Sequence, residues 1–364
     1  MSEIAVVSIA RPLEEVAEEL GQSFEEYGFA VICDHGIPAD LIARAEAMSK
    51  AFFALPDEVK RAYHIPGGGG ARGYTPFGTE KAKDAAVHDL KEFWHVGRSL
   101  PEGHPLAEYM KPNLWPDEVE GFEATFEELY AAFEKAGGRV LEAIALHLDL
   151  PRTWFADTVK DGNSVMRLLR YPPLEGAEAE GAIRAAAHGD INTITLLLGA
   201  EEAGLELLTT KGEWKAIAPP EGALVVNIGD MLERLTNGRL RSTTHRVVNP
   251  RGEAAYRARY SMPFFLHFRP DFTIETLPGC IDPDSPEDHP APISSHDFLL
   301  QRLRDQSGLS FGIGSRHGVE SYPLLRRSNS AQTRGNWGFL TRYGACRRFA
   351  RRLSRGGNKR YFCA

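Results

Sequence analysis

Residues 13–30 (LEEVAEELGQSFEEYGFA) place apolar side chains at helical spacing with acidic residues between them, which predicts an amphipathic helix. The run AVICDHGIP that follows is short and apolar and ends in a turn signal, the pattern of a strand. Residues 39–63 return to a helical pattern, and IPGGGGARGYTPFG reads as a loop. Residues 118–150 carry a long helical pattern interrupted at Gly137 and Gly138. After Pro151 the texture changes. Short β-rich runs alternate with turns: SVMRLLRY, NTITLLL, GLELLTT, GEWKAIAP, GALVVNIG, THRVVNP and ARYSMPFFLHF. Strands at this spacing predict a double-sheet β-sandwich, not βαβ units. The chain therefore reads as an α+β protein, with a helical N-terminal region over residues 1–150 and a β-sandwich over 151–304. Residues 305–364 form a tail with little periodicity.

Charge sharpens this division. The net charge of −8 over 364 residues hides two unlike parts. Residues 1–300 hold 28 Lys and Arg against 48 Asp and Glu, whereas residues 301–364 hold 14 against 2. An acidic body argues against nucleic acid as the main partner. The Arg-, Ser- and Gly-rich tail breaks into a helical pattern (SSHDFLLQRLRDQ) and is expected to be disordered or non-native; the alternative is a basic arm for an acidic partner. No run approaches the roughly 18 apolar residues that span a bilayer, and the acidic start lacks signal-peptide features. Four widely spaced cysteines without a CxxC fit reduced thiols in a cytoplasmic protein.

The candidate chemistry lies in AAAHGDINTITLLL, where His188 and Asp190 precede a β-branched apolar run. Burying a carboxylate beside an imidazole is unfavourable unless the two pair or hold a metal. At i and i+2 on a strand they can point together into the sandwich, or splay around one point at the strand's end. His245, in LRSTTHRVVNP, would complete the two-histidine, one-carboxylate facial triad of non-haem Fe(II) oxygenases. Further on, ARYSMPFF sets Arg259 and Ser261 on one strand face, a guanidinium fork beside a hydroxyl that suits a carboxylate.

With these parts in this order, the chain resembles the isopenicillin N synthase-like family of Fe(II)- and 2-oxoglutarate-dependent (iron/ascorbate-dependent) oxygenases over residues 4–304. The resemblance runs through GFAVICDHGIP, AFFALPDEVKRAY, RGYTPFGTEKAKD, DLKEFWHVGR, RLLRYPP, HGDINTITLL, GALVVNIGDMLERLTNGRLRSTTHRVV and RYSMPFFLHFRPD. It implies a double-stranded β-helix, or jelly-roll, core. It implies His188, Asp190 and His245 as iron ligands, and Arg259, Ser261 and Tyr171 as the grip on 2-oxoglutarate. Iron(II), 2-oxoglutarate and O2 follow as cofactor and co-substrates, with ascorbate as a candidate reductant. The implied activity oxidises a small molecule by hydroxylation, desaturation or cyclisation, releasing succinate and CO2. Where many plant members carry an asparagine two residues before the tyrosine, this chain has Leu169; Asn192 stands where many relatives have glycine.

The same resemblance admits a same-fold oxidase that needs no 2-oxoglutarate, or an ethylene- and succinate-forming enzyme. A non-catalytic binding protein is the alternative of a different class. Other candidates divide by residue type. His35 is expected to cap a turn, and His88, His95, His147 and His267 to be solvated or packed. Phe93 and Trp94 are equally suited to pocket and core. Arg72 and Tyr74 read as surface loop, with a lid over the site as the alternative, and Arg167 as facing either the pocket or a carboxylate.

Overall fold

The structure is a computed structural model and describes residues 3–307, apart from 67–69, 80–87, 175–182, 199–203, 251, 282–283, 285–286 and 289–290. The tail from residue 308 lies outside the described residues.

The N-terminal helices are α1 (Leu13–Tyr27), α2 (Ala39–Phe53), α3 (Asp57–Arg61) and α4 (Phe122–His147). Helix α1 stops where Gly28 takes the left-handed conformation (φ 67°) and donates its N–H to the Phe24 carbonyl. The helical pattern over 39–63 is broken by Pro56, which opens α3. The interruption expected at Gly137 and Gly138 does not occur, and α4 runs through both. A Cβ on Gly137 would lie 2.5 Å from Leu266 Cδ1 and 3.2 Å from Leu196 Cδ1, so glycine there lets the helix lie close on the sheet.

Four strands come from the same N-terminal segment: β1 (Val6–Ser8), β2 (Phe29–Cys33), β3 (Gly73–Thr75) and β4 (Glu92–Gly97). The later strands are β5 (Val165–Tyr171), β6 (Ala185–His188), β7 (Ile194–Leu198), β8 (Leu205–Leu208), β9 (Trp214–Ala216), β10 (Leu224–Ile228), β11 (His245–Val247) and β12 (Arg259–Leu266). They form an eight-stranded sheet ordered β1-β2-β10-β7-β12-β5-β4-β3 and a four-stranded sheet ordered β6-β11-β8-β9. The short helices α5 (Ala156–Val159) and α6 (Asp230–Leu235), the strand pair β13 (Thr273–Ile274) and β14 (Ile293–Ser294), and α7 (Ser295–Ser307) complete the described chain.

Period-two alternation splits the large sheet into two chemically different faces. Met262, Phe264 and Leu266 of β12, with Leu196, Leu198, Val226, Met166, Leu168 and Trp94 of its neighbours, join the core beneath the helices. There Phe264 stacks on Phe133 of α4 (ring centroids 5.2 Å apart) and takes Tyr130 edge-on at 4.9 Å. The opposite face carries Arg259, Ser261, Pro263 and Phe265 of β12, with Arg167, Leu169 and Tyr171 of β5, and lines a cavity facing the small sheet. A second apolar cluster, including Phe29, Val31, Val225, Leu205, Leu207 and Val247, closes one end between the sheets.

This alternation decides residues that the sequence leaves open. Trp94 is core, whereas Phe93 packs with Leu169 and Tyr171 on the cavity face. Arg72 and Tyr74, expected on a surface loop, are buried in and beside β3. The Tyr74 hydroxyl donates to Glu92, which also accepts from Lys60 Nζ (2.8 Å) and from Arg170. That carboxylate makes β3 an inner element: it gathers side chains from α3, β3 and β5 around one buried charge.

A His-Asp-His cluster as candidate active site

Strand register brings the first two candidates together. His188 ends β6 and His245 begins β11, and the antiparallel pairing sets them opposite each other. Their ring centroids are 4.4 Å apart. Asp190 follows in the turn after β6, with Oδ1 3.9 Å from His188 Nε2 and 3.8 Å from His245 Nε2. One donor atom from each residue lies within 4.8 Å of the others, and among the described residues this is the one group of three or more His, Cys, Asp and Glu so arranged.

Hydrogen bonds fix which atoms point inward. His188 Nδ1 lies 2.7 Å from the Ala186 carbonyl and His245 Nδ1 lies 3.1 Å from the Thr243 carbonyl. A carbonyl only accepts, so each Nδ1 carries the proton and each Nε2 keeps its lone pair. On Asp190, Oδ2 accepts from Thr195 Oγ1 (2.6 Å) and Asn227 Nδ2 (2.8 Å), leaving Oδ1 toward the two Nε2 atoms. Asn192 supports Thr195 in turn, donating through Nδ2 at 3.2 Å.

Protonation follows from the same surroundings. Desolvation, with His245 beside it, pushes the His188 imidazole down to about 4, so it is neutral near pH 7. Burial pushes the Asp190 carboxyl up, but the two histidines and the bonds from Asn227 and Thr195 outweigh it and hold the group below its usual range. The two Nε2 atoms and the Asp190 carboxylate converge as a nitrogen and oxygen donor set that suits Fe(II).

The carboxylate-grip candidates share the cavity face. Arg259 lies opposite Tyr171 across the β5–β12 pair, and Ser261 lies opposite Leu169. The Arg259 guanidinium sits 5.0 Å over the Tyr171 ring, and both Arg259 and Ser261 are buried. Leu169 puts an apolar side chain in the cavity.

Of the histidines set aside, His35 braces a turn, contacting the Gly222 carbonyl and accepting from the Ile37 N–H. His147 meets Glu25, and His95 and His267 are buried. Sequence reasoning missed Thr195, Asn227 and Lys91. Asn227 is detectable in principle, as the polar residue of an otherwise apolar strand, LVVNI. Lys91 Nζ pairs with Asp89 at 2.9 Å, and both are buried.

Comparison with known proteins agrees with this geometry. Residues 4–118 match the N-terminal family of the non-haem dioxygenase in morphine synthesis, and residues 162–268 match the 2OG-Fe(II) oxygenase superfamily. The 2-oxoglutarate-Fe(II) type oxidoreductase hxnY of Emericella nidulans is 34% identical over 305 residues, covering 81% of this chain and 85% of its own length. A crystal structure of a 2OG-Fe(II) oxygenase family protein from Caulobacter crescentus is 52% identical with a TM-score of 0.78, covering 84% of this chain and 99% of that one. A full-length Neurospora crassa protein crystallised in complex with alpha-KG and thymine is 30% identical with a TM-score of 0.74, covering 83% of this chain and 96% of its own.

The chain thus belongs to the 2OG-Fe(II) oxygenase superfamily. It is a 2-oxoglutarate- and Fe(II)-dependent dioxygenase acting on a small molecule, with the jelly-roll core of that family. No helix among the described residues is long and apolar enough to cross a membrane.

Proposed function

We propose that His188 Nε2, Asp190 Oδ1 and His245 Nε2 hold the Fe(II), and that Arg259, Ser261 and Tyr171 hold the distal carboxylate of 2-oxoglutarate. The observation carrying this reading is that every other polar atom of the three ligand side chains already has a protein partner. The two Nδ1–H groups go to backbone carbonyls and Asp190 Oδ2 goes to Thr195 and Asn227. Only the three converging atoms are left for a metal. Bound there, iron supplies the redox chemistry that couples oxidative decarboxylation of 2-oxoglutarate by O2 to oxidation of the substrate, releasing succinate and CO2.

The protein's own contribution is positioning and protonation. A neutral His188 imidazole binds metal without first losing a proton. Arg259 offers a charged fork and Ser261 a hydroxyl on the same strand face, two donors for one carboxylate, while Tyr171 fixes the guanidinium from beneath. Leu169 and Phe265 make the neighbouring wall apolar, which keeps water from the reacting centre.

The test is anaerobic titration of 2-oxoglutarate into the Fe(II) protein, followed by the visible charge-transfer band. The wild type shows a saturable band. Arg259→Ala weakens 2-oxoglutarate roughly 10- to 100-fold, as expected for losing a charge-assisted bond, and retains one iron per chain. Equal loss of iron and 2-oxoglutarate contradicts the assigned role. Absence of the band in wild type overturns the site assignment.

A further inference from the structure

The three ligand-bearing segments meet at a residue outside the ligand set. Asp230 opens α6, and its N–H donates to the Asp190 carbonyl at 2.8 Å. The next N–H, of Met231, is shared between the Ile191 and Asn192 carbonyls at 3.2 Å each, and the Gly229 N–H before it donates to the Thr193 carbonyl at 3.0 Å. The turn carrying Asp190 is thus bonded, carbonyl after carbonyl, to the start of α6.

The Asp230 side chain reaches the segment of the second histidine. Its Oδ1 accepts from Ser242 Oγ at 2.6 Å, and the Ser242 N–H donates to Glu233 Oε1 at 2.8 Å. Ser242 adjoins Thr243, whose carbonyl accepts from His245 Nδ1 and so sets which nitrogen faces the metal position. The first histidine is included through Gly189. A Cβ built on Gly189 would lie 3.4 Å from Ser242 Oγ and 3.5 Å from Asp230 Oδ1, so the backbone between His188 and Asp190 passes close to the Asp230–Ser242 bond.

The other oxygen of Asp230 is taken by the last described helix. Oδ2 accepts from Arg302 Nε at 2.9 Å and lies 2.7 Å from Arg302 Nη2. Four residues earlier on the same face of α7, Phe298 is buried with the Arg234 guanidinium of α6 over its ring, 5.7 Å from the centroid. Ser295 Oγ, at the start of α7, donates to Met231 Sδ at 3.5 Å. The Asp230 side chain is 14% exposed and that of Arg302 36%, so water weakens the ion pair more than the bond to Ser242.

We propose that Asp230 is a positioning residue for the metal site, tying the Asp190 turn to the His245 segment through its N–H and its carboxylate, and that α7 reinforces the tie through Arg302. This inference rests on the oxygenase reading of the site proposed above.

The test compares Ser242→Ala, Ser242→Thr, Asp230→Ala, Asp230→Asn and Arg302→Gln in the full-length chain. Glu92→Ala, which removes a buried partner of Lys60, serves as a variant destabilised away from the site. Three readouts are taken: the Fe(II) Kd by anaerobic competition with a chelator, the visible absorption of the Co(II)-loaded protein at saturating metal, which reports ligand geometry, and backbone hydrogen exchange of the metal-free protein over residues 185–193 and 242–248. Ser242→Ala and Asp230→Ala should weaken Fe(II) roughly 10-fold, the lower end of the range for groups that orient metal ligands. Both should alter the Co(II) spectrum and quicken exchange in both segments. Ser242→Thr keeps the hydroxyl and should restore the wild-type values. Asp230→Asn keeps an oxygen for Ser242 but turns an NH2 group toward Arg302. It should therefore match Arg302→Gln, with a loss of about two- to fivefold, as for a partly exposed ion pair.

An Fe(II) Kd within about twofold of wild type in both Ser242→Ala and Asp230→Ala overturns the proposal. Equal loss of Fe(II) affinity in Glu92→Ala overturns it too, since the effect is then one of general stability. Exchange that quickens in only one of the two segments refutes the tie between them, and an Arg302→Gln protein indistinguishable from wild type refutes the part assigned to α7. If Asp230→Ala does not fold, Ser242→Ala against Ser242→Thr decides. Failure of the wild type to bind Fe(II) counts instead against the underlying site reading, and the exchange comparison on metal-free protein still decides the tie.

Discussion

Asn227→Ala probes the architecture of the metal site without touching a ligand. Asp190 Oδ2 accepts two bonds, from Thr195 at 2.6 Å and from Asn227 at 2.8 Å, all among buried groups. Bonds of this kind to a charged acceptor contribute about 1.5–3 kcal/mol each. With one removed, the carboxylate is freer to rotate and Oδ1 is no longer held toward the two Nε2 atoms. The group also loses one of the influences holding its pKa down, so protons compete better with metal. Together these predict a Fe(II) Kd weakened roughly 10- to 100-fold, the range for losing a partner of a metal ligand. The metal-free protein should lose about 1.5–3 kcal/mol of folding stability. Anaerobic Fe(II) titration against a competing chelator measures the first quantity and urea unfolding the second. Thr195→Val should act in the same direction, and the two should be non-additive because they share one oxygen. An iron affinity within about twofold of wild type in both variants would refute the reasoning, since it falls outside the range expected for such partners.

Other perturbations test the packing around the site. Gly229→Ala places a Cβ 2.1 Å from the Asn192 carbonyl oxygen and 3.1 Å from that of Asp190. It should push the Asp190 turn from the end of β10, lowering both thermal stability and iron occupancy; retention of both would contradict this close approach. Glu92→Ala removes the partner of Lys60 and should cost about 3–5 kcal/mol in urea unfolding, as for a broken buried pair, while the 2-oxoglutarate Kd stays unchanged. His267 is buried, and desolvation pushes its imidazole down to about 4. The unfolded chain takes up a proton near pH 6.5 and the folded one does not, so stability is present above 6.5 and lost as pH falls toward 4. Between pH 7.5 and 5 this amounts to about 2 kcal/mol, and His267→Gln should show a correspondingly smaller drop.

Much of this architecture is legible in the residues alone, for identifiable physical reasons. Alternation in NTITLLL, ALVVN and RYSMPFF fixes which side chains share a face, so Arg259 and Ser261 can be paired from the strand pattern itself. The i, i+2 spacing of His188 and Asp190 also keeps them close, but Asp190 lies in the turn beyond β6, so strand alternation does not place it. What alternation does not carry is register. The placement of His245 opposite His188, and of Arg259 opposite Tyr171, depends on long-range strand pairing. The same limit hides β3 and β4, whose short runs become inner strands only through their pairing with each other and with β5. Hence Arg72 and Tyr74 look like loop residues in the chain and are buried in the fold. Gly137 misleads for another reason: its local helix preference is poor, and its value lies in contact with Leu196 and Leu266, far away in sequence. Arg167 is visible only as an ambiguous charge in the strand MRLLRY, and its packing between Phe93 and Phe265 depends on strand pairing.

The central claim is that three particular atoms hold the iron. A crystal grown anaerobically with Fe(II) and 2-oxoglutarate, with anomalous data collected at the iron edge, addresses it directly. The account predicts one anomalous peak per chain, bounded by His188 Nε2, Asp190 Oδ1 and His245 Nε2. A peak elsewhere, or one bounded by a histidine Nδ1, would contradict it.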